Sequence, residues 1–190
     1  KESGFSLIAV NDVPGLIIGA PYNTLTFTPV CNKDFLELVR ASIAGTSHKI
    51  VSVASVRNRG RVSLSIELVG MEKFVAAGRN FSAYLNFGNG HDKSSVLWVN
   101  TSNTCTVCDN TFSANLFSVE NKEASEVSDD IKLRLRHTKN AKMRFPEIAK
   151  LIDKAVGVQG EFAVEFEKLS TVKISEPVAE KLFAGFLGRN

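Results

Sequence analysis

The chain has 190 residues, of which 44% are hydrophobic, so it is long enough for one buried core and too apolar to be disordered. Its charges nearly balance, at 23 Lys and Arg against 20 Asp and Glu, and no apolar run approaches the roughly 20 residues of a membrane-spanning helix. Three cysteines do not make a disulfide framework, and residues 1–20 lack the order of a signal peptide. We therefore expect a single domain over residues 1–190, located in the cytoplasm and without a membrane partner.

The N-terminal quarter predicts a β-hairpin followed by a helix. The hairpin strands are Phe5–Val10 and Leu16–Ala20, which flank a turn that contains Pro and Gly. Tyr22–Phe27 is expected to extend the hairpin as an irregular third strand. The segment Lys33–Ala44 has helical apolar spacing, and Asn32 stands at the N-cap position before it.

A second hairpin, Ile50–Val56 with Arg61–Val69, shows the clearest alternation of apolar and polar residues in the chain. This pattern predicts one buried face and one solvent-exposed face. Its turn carries three arginines: Arg57, Arg59 and Arg61. Two interpretations stay open for this tip, an ordinary solvated turn and a phosphate-binding hairpin. After it, Met71–Gly78 is expected to form a short helix or a loop.

The stretch Tyr84–Phe117 organises the rest of the chain. Two apolar runs rich in β-branched and aromatic residues predict strands that reverse at the polar corner 88–93. Trp98 lies inside the second run, so we expect it in the core. A helix is predicted from about Cys108 to Phe117.

The adjacent pair His91-Asp92 admits a catalytic interpretation, because a carboxylate can fix the tautomer of an imidazole. Neighbouring side chains in a strand or turn usually diverge, however, and Ser94 and Ser95 are suited to capping the corner through backbone hydrogen bonds. A structural corner is therefore favoured. If the pair is functional, contact with a phosphate or a base is expected before catalysis.

The spacing Cys105-x-x-Cys108 is half of a zinc site. The remaining candidate ligands, Cys31 and the histidines His48, His91 and His137, form no second close pair. Glycine-rich phosphate loops and hydrolase motifs are also missing from the sequence. We therefore expect neither a metal, nor a cofactor, nor enzymatic activity.

A known family shares several of these residues. The run Asn-Gly-His-Asp-Lys-Ser-Ser over 89–95, an apolar strand, and Val-Cys-Asp-Asn-Thr over 107–111 resemble the signature of the phage/plasmid-like protein family, usually described as a domain of unknown function. The likeness covers roughly Phe5 to Leu187, with Lys93 where members often have Gly. The resemblance implies a mobile-element origin and marks His91, Asp92, Ser94, Ser95, Cys108, Asn110 and Thr111.

The charge changes sign after residue 117. The segment 118–130 has five acids against one lysine and predicts an acidic connector. In Ile131–Thr138, the apolar residues alternate with Lys132, Arg134 and Arg136, which predicts a strand with a basic exposed face. A polyanion-binding face is favoured. The other interpretation is a solvated face that pairs with the acidic connector.

Three helices are predicted at the C-terminus. The first is Asn140–Val156, which Gly157 is expected to end, and the second is about Gln159–Leu169. The third starts at Ser175 or Glu176 with Pro at its first turn. This part, 131–188, would form a basic strand with a helical module beside the sheet-and-helix core 5–117.

These elements predict an α+β fold in which a curved, mostly antiparallel sheet carries a central helix and is followed by C-terminal helices. The order resembles that of the phage single-strand annealing proteins. Together with the family resemblance, it predicts a non-enzymatic accessory protein that binds nucleic acid, single-stranded DNA in particular, during recombination or replication and acts as a homo-oligomer. The predicted phosphate contacts are Arg57, Arg59, Arg61, Lys93, Lys132, Arg134, Arg136, Lys139 and Lys142. The alternative is a phage counter-defence or host-takeover factor that binds a protein through the C-terminal helix with Phe183 and Phe186.

Overall fold

The computed structural model describes residues 5–9, 15–69, 75–76, 79–80, 82–92, 95–103, 105–120 and 132–187. In chain order, the elements are β1 (Phe5–Ala9), β2 (Ile17–Asn23), α1 (Asn32–Ile43), β3 (Lys49–Val56), β4 (Arg61–Glu67), β5 (Val75–Ala76), β6 (Arg79–Asn80), β7 (Tyr84–Gly90), β8 (Leu97–Ser102), α2 (Asp109–Glu120), β9 (Leu133–Leu135), a 3-10 turn (Ala141–Arg144), α3 (Phe145–Ser170) and α4 (Glu176–Leu187). The predicted α+β class is confirmed, and the order of the elements agrees with the prediction except for the additional strand pair β5 and β6.

The largest sheet has five strands in the order β3-β4-β7-β8-β9, and every neighbouring pair is antiparallel. Because neighbours run in opposite directions, the β3–β4 turn, the β7–β8 connection and the segment after β9 all leave the sheet at one end. We call this the His91 end and define it by the described residues of 57–60, 91–96 and 136–140. The strands β1 with β2, and β5 with β6, form two separate pairs.

One face of the sheet packs against α1 and α3 to form the main core. The inward side chains come from alternate positions of four strands: Leu64, Ile66, Leu85, Phe87, Leu97, Val99, Leu133 and Leu135. Phe35 and Val39 of α1 and Ile148, Ile152 and Ala155 of α3 cover them. The apolar alternation predicted for β4 and β9 is therefore confirmed on this face.

The second face of the sheet is polar and also buried, so the predicted solvent-exposed face of β4 was wrong. Ser63 and Ser65 are 1% and 0% exposed, because α2 and the segment before it cover them. Ser65 Oγ donates to Asn86 Oδ1 at 2.6 Å and accepts the Thr106 N–H at 3.0 Å. Asn115 of α2 extends the network by donating to Thr106 Oγ1 at 2.7 Å. Hydrogen bonding of this kind makes a polar interface tolerable in a low-dielectric interior.

Gly88 leaves room for the Trp98 ring, which contacts α2 on this face of the sheet. A Cβ on Gly88 would collide with the indole ring of Trp98, so only glycine leaves room for that ring. Trp98 is fully buried, as predicted, and its ring meets Phe112 of α2 edge-on with centroids 5.2 Å apart. Gly88 therefore sets how Trp98, and through it α2, sits on the sheet.

The C-terminal helices differ from the prediction in two respects. The first helix begins at Phe145, after the 3-10 turn Ala141–Arg144, and not at Asn140. Gly157 does not end a helix, and α3 runs unbroken for 26 residues through it. Burial of Ile152, Ala155, Gln159 and Ala163 along one side of α3 stabilises the helix across the glycine, whose own cost is only about 1 kcal/mol. Among the described helices, none is long and apolar enough to cross a membrane.

Three shorter predictions also need correction. The expected third strand does not form, since β2 continues to Asn23 and a turn follows at residues 24–26. Within 71–78, the described residues 75–76 are a strand, not a helix, and the other residues lie outside the described part. The first three residues of the predicted acidic connector belong to α2, and 121–130 lie outside the described residues.

Two glycine substitutions test this packing. Gly88→Ala should lower the free energy of unfolding by about 1–3 kcal/mol, because its methyl group overlaps the Trp98 ring. Gly157→Ala is the matched control: its Cβ meets no atom within 4 Å in an exposed helical position, so it should raise stability by about 0.5–1 kcal/mol. Urea denaturation measures both, and a Gly88→Ala variant as stable as the wild type would contradict the proposed contact.

Candidate functional site

An ion network lies at the His91 end, on the face of the sheet that α2 covers. The Nε of Arg61 lies 3.2 Å from Asp92 Oδ2, and its Nη1 lies 3.1 Å from Asp109 Oδ1. Arg57 Nε contacts the other oxygen of Asp109 at 3.1 Å. The side chain of Arg61 is only 6% exposed and its guanidinium lies 5.3 Å from the centre of the Phe112 ring. Arg61 therefore joins the hairpin tip, the corner after β7 and the first turn of α2.

The hairpin tip beside this network has an unusual backbone. Arg57, Asn58 and Arg59 all have left-handed φ angles, at 51°, 50° and 67°. Each such residue costs roughly 1–2 kcal/mol relative to ordinary backbone, so the surroundings must hold the tip in place. The Gly60 N–H donates to the Arg57 carbonyl at 2.8 Å, and the His91 N–H donates to the Gly60 carbonyl at 2.7 Å. The tip is thereby fixed to the corner as well as to α2.

The second half of the family signature caps α2. Thr111 Oγ1 accepts the N–H groups of Val107 and Cys108 at 3.0 Å each, so it satisfies donors that no helical carbonyl can reach. The Thr111 hydroxyl also lowers the pKa of the exposed Cys108 thiol. Asn110 is exposed. Cys108 and Thr111 thus have a structural role that positions Asp109 for the ion network.

A cluster of two histidines and two asparagines lies on the opposite side of the His91 end. Asn89 Nδ2 donates to the Val30 carbonyl at 2.9 Å and to Asn32 Oδ1 at 2.8 Å. Because the hydrogens of that amide are used, His91 Nε2, 2.9 Å from Asn32 Oδ1, is the donor to it. The buried Nδ1 of His91 has no hydrogen-bond partner among the described residues. His137 Nδ1 accepts the Val30 N–H at 3.3 Å.

Both imidazoles are held in the neutral form. Burial, and after it the nearby His91, lowers the pKa of His137 to about 4, although a hydrogen bond with the backbone of Gly90 opposes the shift. Burial also lowers the pKa of His91, against the opposing charge of Asp92. Asn32 caps no helix, contrary to prediction, because its side chain is committed to His91 and Asn89, and the N-cap is Cys31.

The predicted basic stripe, Lys132, Arg134 and Arg136, follows β9 into the His91 end. Arg134 and Arg136 are exposed and Lys132 is half-buried, whereas Leu133, Leu135 and His137 between and after them are buried. Arg134 pairs across the strands with Trp98, which places the stripe on the α2 side of the sheet. Only 133–135 are strand, so the predicted strand is shorter than expected.

Three further cations follow the stripe along the chain. Lys139 is exposed, Lys142 pairs with Asp34, and Arg144 pairs with Glu147 at 2.8 Å. A concavity of about 300 Å³ opens between the end of β9 and the 3-10 turn. Its polar lining consists of Arg134, Arg136, Thr138, Asn140 and Arg144.

The structure brings most of the marked residues to one end of the sheet. Arg57, Arg61, His91, Asp92 and Cys108 meet there, Ser95 is buried beside Gly90, and Lys93 and Ser94 lie outside the described residues. Sequence reasoning did not assign a site role to four members of the site, although it named them or the runs that contain them: Asn32, Asn89, Asp109 and His137. An asparagine on the apolar face of a strand, as Asn89 is, was the one local signal available.

A family model described as Domain of unknown function (DUF932) matches residues 24–190. The chain belongs to this family. The DUF932 match includes the ion network, the histidine cluster and the basic stripe, while it begins after β1 and β2. No curated protein and no solved structure matches the chain.

Two arginines of the ion network differ in burial and provide a matched test of it. Arg61→Ala should lower the free energy of unfolding by about 3–5 kcal/mol, because it removes the buried cation that bridges Asp92 and Asp109. Arg57→Ala, whose side chain is 50% exposed, should cost less than about 1 kcal/mol. Equal losses for the two variants in urea denaturation would show that Arg61 does not hold the network.

The histidine cluster predicts loss of stability in acid. A histidine has a pKa of 6.5 in the unfolded chain, whereas the pKa of His137 in the folded protein is about 4. The neutral form of His137 therefore contributes fully to the stability of the folded state above pH 6.5, and this contribution is lost as the pH falls. The slope should be about 1.4 kcal/mol per pH unit, read above about pH 5 so that carboxylates contribute little. His137→Asn keeps an acceptor for the Val30 N–H and should flatten the slope, and an unchanged slope would contradict the prediction.

Proposed function

We propose that this DUF932 chain binds nucleic acid through its basic stripe, with single-stranded DNA as the expected ligand. Its role would be that of a non-enzymatic accessory protein in the recombination or replication of a phage or plasmid, in the host cytoplasm. The observation that supports the proposal is the stripe itself. Arg134 and Arg136 are exposed on alternate positions of a rigid edge segment whose intervening side chains are buried.

The geometry of the stripe suits an extended strand of phosphates. Arg134 lies in β9, and Lys132 and Arg136 directly flank it. In extended backbone, residues two apart lie about 6.6 Å from each other on one face, comparable to the phosphate repeat of an extended single strand. Burial of Leu133 and Leu135 fixes the backbone, so the guanidinium groups leave the surface at defined points. Such a row attracts a polyanion at long range and releases counterions on binding.

The predicted cations do not contribute equally to this proposal. Arg57 and Arg61 already neutralise Asp92 and Asp109, and Lys142 neutralises Asp34. The proposed phosphate contacts are assigned by position, to the cations on and directly after β9: Lys132, Arg134, Arg136 and Lys139. The role of Arg57 and Arg61 would be indirect, since their network holds α2 beside the stripe.

Strand annealing would add self-association to binding. Several copies of the chain, placed side by side, would align their stripes along one strand and leave its bases free to meet a complementary strand. The order of the elements resembles that of phage single-strand annealing proteins, which motivates this part of the proposal.

A charge-reversal experiment tests binding. Arg134→Glu/Arg136→Glu should weaken binding of a labelled single-stranded oligonucleotide at least 100-fold, because two phosphate contacts become repulsive. Fluorescence anisotropy at two salt concentrations should also show a shallower salt dependence, by about 0.7 in logarithmic slope for each lost contact.

Lys173→Glu/Lys181→Glu is the control for this experiment. It makes the same change in net charge at two exposed lysines of the C-terminal segment. If both double variants lose affinity equally, binding follows net charge and the stripe is not its site. If the wild-type protein does not bind at low salt, nucleic acid is removed from consideration.

A second candidate function, binding of a partner protein, is favoured by a different observation. The C-terminal half of α3 and the segment after it expose large apolar side chains: Val164, Phe166, Leu169, Val172, Ile174 and Val178. Apolar side chains grouped in this way are typical of protein interaction surfaces. The predicted contacts Phe183 and Phe186 lie in α4, outside the described side chains. This candidate becomes the leading one if low-salt anisotropy shows no binding.

A further inference from the structure

We infer that the concavity between the end of β9 and the 3-10 turn is a subsite for a terminal phosphate group of the bound strand. The inference deepens the proposed function and rests on it, because it names the part of the nucleic acid that this pocket would hold. A terminal phosphate is a monoester that carries close to two negative charges at neutral pH, whereas each internal phosphodiester carries one.

The pocket lining is strongly cationic and comes from three places in the chain. Arg134 comes from β9, Arg136 from the bend after it, and Arg144 from the end of the 3-10 turn. The described residues that line the pocket include three guanidinium groups and no carboxylate, and one of the three, Arg144, pairs with Glu147, which is outside the lining. A concave site lined by several guanidinium groups favours a dianion over a monoanion, because each added negative charge of the ligand strengthens the attraction.

The pocket is also built to hold its cations in place. Leu135 and Ala141 form its apolar base and are 2% and 3% exposed. Arg144 is oriented by Glu147, which receives its Nε at 2.9 Å and its Nη2 at 2.8 Å. Its Nη1 takes no part in this pair and is the nitrogen that remains for a ligand. An oriented guanidinium loses little freedom on binding, which favours phosphate recognition.

Two neutral groups complete the lining and can act as hydrogen-bond donors. These are the hydroxyl of Thr138 and the amide of Asn140. Their backbone is fixed, since the Ala141 N–H donates to the Thr138 carbonyl at 3.0 Å and the Met143 N–H donates to the Asn140 carbonyl at 3.1 Å. Hydroxyl and amide donors beside guanidinium groups are suited to the several oxygens of a phosphate monoester.

The position of the pocket explains why an end of the strand would be held there. Arg134 and Arg136 belong both to the stripe and to the pocket lining, so the stripe leads directly into the concavity. A volume of about 300 Å³ is enough for a phosphate and the sugar that carries it, at the lower limit of small-molecule sites. The strand would then leave along the stripe toward Lys132.

The test compares strand ends on the full-length protein. Anisotropy competition would use one oligonucleotide sequence with a 5′-phosphate, a 3′-phosphate or hydroxyl groups at both ends. The wild type should bind one of the phosphorylated forms at least fivefold more tightly than the hydroxyl form, and which form it prefers identifies the end. Arg144→Gln and Thr138→Val should each remove the preference and leave affinity for the hydroxyl form within twofold, since neither residue belongs to the stripe.

The outcomes separate this inference from the proposed function. Equal wild-type affinity for all three oligonucleotides overturns the terminal-phosphate subsite while strand binding by the stripe stands. A preference that survives both Arg144→Gln and Thr138→Val also overturns it, because the end is then recognised elsewhere. Failure of every oligonucleotide to bind overturns the proposed function and the subsite together.

Discussion

The buried guanidinium of Arg61 is the interaction on which the arrangement of this sheet depends. It bridges Asp92 and Asp109, and so connects the end of β7 to the start of α2, while Arg57 attaches the hairpin tip to the same network. A buried ion pair contributes little net stability, yet removal of one member is costly, so it acts mainly to select one arrangement. Here that arrangement places α2 over a sheet face where serine, asparagine and glycine lie beside Trp98, whose ring packs against Phe112 of α2.

The histidine cluster connects the His91 end to α1 on the other face of the sheet, as the ion network connects it to α2. His91 donates its backbone N–H to Gly60 and its ring N–H to Asn32, so one residue joins the hairpin tip to the start of α1. His137 binds the backbone N–H of Val30 through Nδ1, and its carbonyl accepts the N–H of Thr28 at 2.8 Å. Since His137 directly follows Arg136, the same contacts fix the end of the basic stripe. Neutral imidazoles are required for this, which explains why acid should loosen the region.

Local pattern predicted which segments are strands and helices far better than it predicted what covers them. The alternation of Leu64 and Ile66 with Ser63 and Ser65 located β4 correctly, because strand periodicity is a property of the segment itself. It could not show that the serine side is buried, since that depends on Asn86, Thr106 and Asn115 from distant parts of the chain. The same reasoning applies to α3, where Gly157 is a local helix-breaking signal overruled by the tertiary burial of Ile152 and Ala155.

The division of the cations into buried and exposed groups is the part of the site that could not be predicted from the sequence. Arg61 and Arg134 each occupy a polar position in an alternating strand, and both appear in basic clusters. Their difference lies in partners 31 and 48 residues away from Arg61, the carboxylates of Asp92 and Asp109, which bury its charge. Arg134 stays exposed on the edge strand and lines a pocket without acids among its described residues. Because a phosphate can reach an exposed guanidinium but not a buried one, the stripe is the part of these basic clusters where a polyanion would bind.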